Sequence, residues 1–263
     1  MDQPAIVTAI DGIGRATLTL NRPQLHNAFD DTLIASLTAE LRRLDRDPQV
    51  RVVILAANGK SFSAGADLSW MRRMADYGRD DNLRDALALA ELMSTLSGLS
   101  KPTVARVQGA AYGGGVGLVA CCDVAIASRR ATFCLSEVKL GLIPAVISPY
   151  VVGGIGARAA RRYFMSAESF GASEAHRLGL VHEVVAEEEL DAAVERVAGC
   201  FLANGPNAMA AAKRLVARVA SGPVDDAMIR DTAERIADAR ASAEGKEGLS
   251  AFLEKITPSW GER

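Results

Sequence analysis

An α/β body followed by an all-helical C-terminal part is the fold class predicted by three features of this 263-residue chain. Residues 50–57 form a continuous apolar run of strand length, the mark of a strand buried on both faces. Short apolar runs of this kind alternate with helix-period segments as far as about Pro149. Beyond it the pattern is helical almost throughout, and strands alternating with helices before helices alone indicate a sheet-built body with a helical appendage. We set the body at residues 1–200 and the helical region at 201–263. The length suits one large domain or a main domain with such an appendage.

The elements follow in order. Residues 5–10 and 16–20 are apolar-rich and flank Asp11-Gly12-Ile13-Gly14, which reads as a hairpin. Asp30 or Asp31 caps a helix with Leu33, Leu37, Leu41 and Leu44 on one face, stopped by Pro48. The strand 50–57 leads through a loop into helical pattern over 69–97, broken near Gly78. Residues 103–107 form a strand, 114–121 a short helix, 124–127 a strand and 131–135 a further short strand. Helices are expected at 151–165, 173–178, 187–204, 206–220, 224–243 and 246–255. No repeat of twenty to fifty residues and no low-complexity linker interrupts them.

Composition narrows the function classes. With 49% hydrophobic and 24% charged residues the chain can build a core, which excludes global disorder. Thirty basic against thirty-two acidic residues leave a net charge of −2, against a nucleic-acid binder that relies on a positive field. The start, MDQPAIVTAI, lacks a basic segment followed by a long apolar run, so no secretory signal is read there. Cys121, Cys122, Cys134 and Cys200 have no CxxC spacing and read as small thiols in a reducing cytoplasm. His26, His176 and His182 form no paired ligand spacing, so no metal site is expected. Two stretches lack any charge: 107–122, sixteen residues, and 140–157, eighteen. The second is nearly membrane-span length, yet Pro144, Pro149 and four glycines argue against a lipid-spanning helix.

Three familiar patterns fail. Asn58-Gly59-Lys60-Ser61 contains the end of a phosphate-binding loop, but Ile54 stands where its first glycine belongs. Gly115-Val116-Gly117-Leu118-Val119-Ala120 matches a dinucleotide fingerprint, yet the next strand begins almost at once, leaving no crossover helix. No GxSxG elbow supplies a hydrolase nucleophile.

Two other loops have chemical use. Phe62-Ser63-Ala64-Gly65-Ala66-Asp67-Leu68 follows a strand and leaves its backbone amides unshielded by side chains. Gln108-Gly109-Ala110-Ala111-Tyr112-Gly113-Gly114-Gly115 follows another strand and opens a helix, whose first N–H groups are unpaired and at the positive end of its dipole. Two such amide sources at neighbouring strand ends can hold one developing oxyanion, each donor contributing about 3–4 kcal/mol to barrier lowering; each also reads as a tight helix–strand turn. Asp67 and Glu137 are the nearest carboxylates. Glu137, in Phe133-Cys134-Leu135-Ser136-Glu137-Val138-Lys139-Leu140-Gly141-Leu142, is the sharper acid/base candidate, since an apolar setting raises a carboxyl pKa toward proton-transfer usefulness. Its structural alternative is an ion pair with Lys139 or a helix start after Ser136.

These residues resemble the crotonase (enoyl-CoA hydratase/isomerase) superfamily along essentially the whole chain. The resemblance rests on Leu20-Asn21-Arg22-Pro23 with Asn27-Ala28, on the two glycine loops, on Cys122-Asp123, and on Ser136-Glu137-Val138-Lys139-Leu140-Gly141-Leu142-Ile143-Pro144. It continues in Ala175-His176-Arg177-Leu178-Gly179-Leu180-Val181 and Glu247-Gly248-Leu249-Ser250-Ala251-Phe252-Leu253-Glu254-Lys255. It implies a spiral of ββα units with a C-terminal helical trimerisation region, assembled as a trimer or a dimer of trimers. It implies coenzyme A thioester substrates, with no cofactor, nucleic-acid or membrane partner. By position, the backbone N–H groups of Ala66 and Gly114 are the oxyanion hole and Glu137 the acid/base. Lys60 is expected at the coenzyme phosphates, Ala64, Asp67 and Leu68 along the adenine and pantetheine path, and Gly117 at the substrate. Phe252 and Lys255 match positions that meet the nucleotide of a neighbouring subunit.

One departure bears on the reaction. Two-glutamate hydratases carry a glutamate where Gly117 stands here. A single carboxylate suits a double-bond isomerase, which shuttles one proton. Yet Cys121-Cys122-Asp123, Cys134-Leu135-Ser136-Glu137-Val138 and Pro144-Ala145-Val146-Ile147-Ser148-Pro149 resemble bacterial methylglutaconyl-CoA and isohexenylglutaconyl-CoA hydratases of leucine and acyclic-terpene breakdown. The expected activity is therefore hydration of a 3-methyl-branched 2-enoyl-CoA. The alternatives are a 3-enoyl to 2-enoyl-CoA isomerase and an acyl-CoA-binding protein without chemistry. Arg72, Arg73 or Lys139 can meet the distal carboxylate of a glutaconyl group, and Trp70, Met71, Met74 and Tyr77 either line the acyl pocket or pack a helix.

Overall fold

Strand β1 (Ile6–Ile10) and strand β2 (Arg15–Leu20) pair antiparallel, Ile6 opposite Leu20, as the hairpin their alternating burial requires. Strand β3 (Val52–Ala57) joins β2 in parallel register and is buried at all six positions, the two-sided burial its unbroken apolar run calls for. Helix α1 (Asp31–Arg46) crosses between them. Its N-cap is Asp30, which accepts the Leu33 N–H at 2.7 Å, and Leu33, Ile34, Leu37, Leu41 and Leu44 form its buried face. The computed structural model describes residues 4–220 and 222–261; the first residues of the start read for a secretory signal, 1–3, lie outside them.

A second, four-stranded sheet lies beside the first. Strand β4 (Ser61–Ser63), read as loop, leaves β3 almost at once. Strand β5 (Thr103–Val107) is followed in the same way by β6 (Ala110–Tyr112), and β7 (Val124–Ser128) by β8 (Thr132–Cys134). The first members of these pairs belong to a six-stranded sheet in the order β1-β2-β3-β5-β7-β10, whose last strand is Glu183–Val185. The second members form a four-stranded sheet, β4-β6-β8-β9, with β9 at Phe170–Gly171. The chain thus advances by ββα units. Of these short strands only β8 is expected from the sequence, at 131–135, where Ala131, Phe133 and Leu135 alternate; β4 and β6 lack such a run.

The helices fill the remaining layers. The expected 69–97 segment is two helices, α2 (Leu68–Ala75) and α3 (Arg79–Gly98), with Gly78 as the N-cap of the second. Helix α4 is Gly114–Cys121, and α5 (Ser148–Ser166) is kinked at Gly156, where φ is 75°. Helix α6 (Ala172–Leu178) precedes β10. Helix α7 (Leu190–Leu202) covers the far face of the larger sheet, where Leu190, Val194 and Ala198 pack on Val52, Ile54, Val104 and Ile126. The main core, on the other face, includes Leu18, Phe29, Leu55, Phe62, Leu96, Val119 and Phe133.

Helices α8 (Pro206–Val219), α9 (Asp226–Ala241) and α10 (Ala243–Glu254) complete the chain. They are tied to the body at defined points. Lys213 on α8 reaches Asp123 at 2.8 Å, and Asp123 also accepts from the Thr103 N–H and hydroxyl. The buried Arg51 donates to the carbonyls of Leu202 and Asn204. Much of their apolar surface stays open, with Val216, Ile229, Leu249 and Phe252 all exposed.

Candidate active site

Two ladders bring the glycine loops together. β4 and β6 run parallel, Ser61 beside Ala110 and Ser63 beside Ala111, so the segments that follow them emerge on the same side. β6 pairs with β8, Tyr112 beside Cys134, and Glu137 lies just beyond β8. The Gly113 N–H donates to the Cys134 carbonyl at 2.9 Å, fixing the start of α4 against the Glu137 segment.

The loop after β4 is braced by an uncommon turn. His26 and Asn27 both have positive φ, 51° and 54°. Asn27 is fully buried; its amide donates to the carbonyls of Asn58 and Ser61, and its oxygen accepts the Arg22 N–H at 2.8 Å. The His26 carbonyl accepts the Ala64 N–H at 3.0 Å. Phe29 then forms a parallel bridge with Ala66: the Phe29 N–H donates to the Gly65 carbonyl, and the Asp67 N–H to the Phe29 carbonyl, both at 2.7 Å. In such a bridge the central residue's own N–H and C=O point away from the partner strand. The Ala66 N–H therefore faces outward, and among the described residues it meets no acceptor. Asp67 serves as N-cap of α2, accepting the N–H groups of Ser69 and Trp70 at 2.8 and 3.1 Å.

The second loop contributes the first amide of α4. Gly113 is the N-cap at φ 51°, ψ −119°, a conformation open only to glycine. Val116 and Gly117 both donate to its carbonyl, while the Gly114 N–H has no acceptor among the described residues. A Cβ on Gly115 would lie 2.7 Å from the Ser63 carbonyl oxygen, so the glycine run also lets α4 sit directly on β4.

Glu137 closes the arrangement. A Cβ on Gly113 would stand 3.2 Å from Glu137 Oε1 and 3.9 Å from Gly65 Cα, so the carboxyl group and both glycine loops share one small space. Glu137 begins a short 3-10 turn, Glu137–Leu140, without a side-chain cap from Ser136, and no ion pair with Lys139 forms. Its Oε2 atom is buried without a hydrogen-bond partner. Burial pushes the Glu137 carboxyl above the usual carboxylate range, opposed by a hydrogen bond from its own backbone. A raised-pKa carboxyl beside two unpaired amides can move a proton while an adjacent oxyanion is held.

A family model for enoyl-CoA hydratase/isomerase matches residues 12–263. The chain belongs to that family. A crystal structure of an enoyl-CoA hydratase from Shewanella pealeana superposes with a TM-score of 0.95 at 48% identity, covering 98% of this chain and 96% of that one. A putative enoyl-CoA hydratase/isomerase (crotonase) from Legionella pneumophila gives 0.92 at 49% identity, covering 97% and 98%. A putative enoyl-CoA hydratase from Thermus thermophilus is 35% identical over 247 residues, 92% of this chain and 96% of the relative. The architecture is thus the crotonase fold, including its C-terminal helices.

Within this member of the family the remaining candidates fall into three groups. Lys60, Ala64 and Leu68 are exposed along the rim of the Ala66 loop. Gly117 is buried inside α4 and faces Ile147 and Met93. Phe252 and Lys255 are exposed on and just after α10, which packs on α8 and α9; within one chain they do not join the Glu137 cluster. Trp70 belongs to the core, 5% exposed, with its indole N–H on Asp85. Leu140, Leu142 and Ile143, after Glu137, are exposed apolar residues, so only part of the 140–157 stretch is interior. Asn27, part of the motif that carries the family resemblance, and His26 are structural supports of this site; two consecutive residues at positive φ leave no sequence signal beyond an asparagine.

Among the described residues no group of three His, Cys, Asp or Glu side chains is placed to hold a metal, and no helix is long and apolar enough to cross a membrane. The four cysteines are free; burial pushes the Cys122 thiol up to about 12.

Proposed function

We propose that this protein is a hydro-lyase that adds water across the double bond of a 2-enoyl-CoA thioester, with 3-methyl-branched acyl groups such as methylglutaconyl as preferred substrates. The observation that carries the reading is Glu137, with its partnerless buried oxygen, set against the Gly113 turn beside the unpaired amides of Ala66 and Gly114. The thioester carbonyl oxygen accepts both amides. The Glu137 carboxylate takes a proton from water as the water oxygen bonds to Cβ, and the double-bond electrons move onto the carbonyl oxygen as an enolate. The enolate collapses, Cα takes the proton from Glu137, and the carboxylate is restored. One water enters and one 3-hydroxyacyl thioester leaves, so one carboxylate closes the cycle.

The branched preference is supported by the resemblance of the 121–123, 134–138 and 144–149 segments to methylglutaconyl-type hydratases. Arg73 is held by Asp31 at 2.8 Å, which leaves Arg72 and Lys139, both exposed, as cations for a distal carboxylate. Lys60 is assigned to the coenzyme phosphates, Ala64, Asp67 and Leu68 to its pantetheine and adenine path. We read the exposed apolar faces of α8–α10 as a trimer surface that brings Phe252 and Lys255 to a neighbour's nucleotide. Coenzyme A is the only non-protein group this chemistry uses, and four unpaired thiols fit a cytoplasmic setting.

Purified protein supplied with methylglutaconyl-CoA and crotonyl-CoA in heavy-oxygen water tests the reading. Labelled hydroxyl in the methylglutaconyl product is expected. Turnover of crotonyl-CoA alone would reject the branched preference, a double-bond shift without label would identify an isomerase, and binding without turnover a non-catalytic acyl-CoA carrier.

A further inference from the structure

The two strands that carry the unpaired amides are tied together at their base by one side chain. Residues 57–61 lead through β4 to Ala66, and Gln108 leads through β6 to Gly114. The Gln108 side-chain Nε2 donates to the carbonyls of Ala57, Gly59 and Ser61 at 2.9, 3.1 and 3.1 Å, three acceptors for two N–H bonds. Asn27 takes the Asn58 carbonyl between them and shares that of Ser61, both at 2.9 Å. A Cβ on Gly109 would stand 1.9 Å from the Lys60 carbonyl oxygen, so the β5–β6 turn lies directly on the β3–β4 turn. Gln108 is itself held, its carbonyl accepting the hydroxyl of the fully buried Ser128 at 2.9 Å. Its Oε1 atom is buried without a partner, an acceptor left unmet while the amide N–H groups are used in full.

The clamp sits on a break in the ladder. From Ser61 to Ser63 β4 advances two residues while β6 advances one, from Ala110 to Ala111. Phe62 is thus an extra residue, a bulge whose side chain is fully buried in the main core. A bulge disrupts its ladder, and the Ser61 carbonyl at its edge is held by the amides of Asn27 and Gln108 instead. One residue of advance moves a strand about 3.3 Å. That exceeds the whole donor–oxygen distance of an oxyanion hole, about 2.7–3.1 Å. We infer that Gln108 is a positioning residue for the oxyanion hole: its amide locks the bulge at Phe62, and the bulge sets how far forward the Ala66 N–H stands beside the Gly114 N–H. The inference rests on the reading of these two amides as donors to the thioester oxygen. The Phe29 bridge orients the Ala66 N–H, while Gln108 fixes its advance along β4.

The infrared stretch of a bound thioester carbonyl reads the donors directly, because each hydrogen bond to the oxygen weakens the C=O bond and lowers its frequency. Butyryl-CoA labelled with carbon-13 at the thioester carbon has no double bond to hydrate and serves as the probe. In wild type its carbonyl should absorb below the frequency in water. In Gln108→Met, a side chain of similar length without a donor, it should move back toward that value. Hydration kcat should fall about 10-fold, since a shift of about 1 Å costs on the order of 100-fold and a smaller one is expected here, with KM within about 2-fold. A variant that melts lower but keeps the wild-type frequency and kcat would make Gln108 a packing residue and overturn the inference. So would a raised KM with kcat and frequency intact, which would assign Gln108 to the coenzyme end at Lys60. Gln108→Asn, too short to reach all three carbonyls, should show the same two changes to a smaller degree and supplies both readouts should the methionine variant not fold. A wild-type frequency equal to that in water would refute the oxyanion reading and the inference with it, whereas a product without added water would refute the hydration step alone.

Discussion

Replacing Gly113 by alanine tests backbone and chemistry in one step. At φ 51° and ψ −119° a Cβ clashes with its own backbone, a strain of about 1–3 kcal/mol. For a chain of this length that corresponds to a melting point lower by about 2–10 °C. The added methyl also stands 3.2 Å from Glu137 Oε1, so the carboxyl must withdraw by a few tenths of an ångström, and the Gly114 N–H turns with the strained cap. A displacement near 1 Å at reacting atoms costs on the order of 100-fold; a smaller one here should lower kcat about 3–30-fold with KM little changed. Gly199→Ala in α7, where a Cβ meets nothing within 4 Å, is the control and should gain about 0.5–1 kcal/mol from helix propensity. Melting by circular dichroism and steady-state hydration kinetics are measured on the same preparations. A Gly113→Ala enzyme that loses stability but keeps full kcat would refute the placement of Glu137 against this turn. One that keeps its melting point would refute the left-handed turn itself.

Three further perturbations have defined outcomes. Glu137→Gln should lower kcat about 10²–10⁴-fold while coenzyme A binding persists, and the wild-type rate should fall as pH drops through the raised Glu137 pKa, because the carboxylate is the working form. A carboxyl whose folded pKa lies above its unfolded value stabilises the fold fully below the unfolded pKa and loses that contribution as pH rises through the folded one. Glu137→Gln should therefore melt higher than wild type at alkaline pH, with the gap closing in acid. Asn27→Ala strips partners from the Arg22 N–H and the carbonyls of Asn58 and Ser61 and puts alanine at φ 54°. About 3 kcal/mol or more should be lost in urea unfolding, along with turnover through the Ala64 loop. Asp30→Ala removes the cap of α1 and the partner of Arg22; a loss of about 1–2 kcal/mol with kcat unchanged is expected.

The parts of the fold that were legible in the sequence are those with long hydrophobic periods. Residues 50–57, the α1 leucines, the break at Gly78 and the helical C-terminal third all stand where apolar spacing put them, with boundaries shifted by a few residues. β4, β6 and β10 were not legible: each is three residues long without the flanking alternation that Ala131, Phe133 and Leu135 give β8, and their pairing partners are distant in sequence. At the site, the convergence of two glycine loops on Glu137 followed from motif order. The packing of Ile147 on Gly117 did not. Its contact with Gly117 spans thirty residues and depends on where α5 begins, which only tertiary packing decides.

The placement of local violations sharpens the assignment. Glu137 Oε2 is an acceptor buried without a donor, and the N–H groups of Ala66 and Gly114 are donors without acceptors. Were the cluster only a packing solution, the buried Glu137 oxygen would gain by pairing, since an unsatisfied buried polar atom costs about 1–3 kcal/mol. The rigid turn at Gly113 and the Phe29 bridge hold donors and acceptor in one space but unpaired. The strained φ values of His26, Asn27 and Gly113 belong to the same turns. Concentrated strain and unmet hydrogen-bonding capacity mark where a fold gives up local consistency for function. What restores the missing bonds must carry an oxygen that accepts two amides and, beside it, a proton to trade with a carboxylate. An enoyl thioester with one water supplies both.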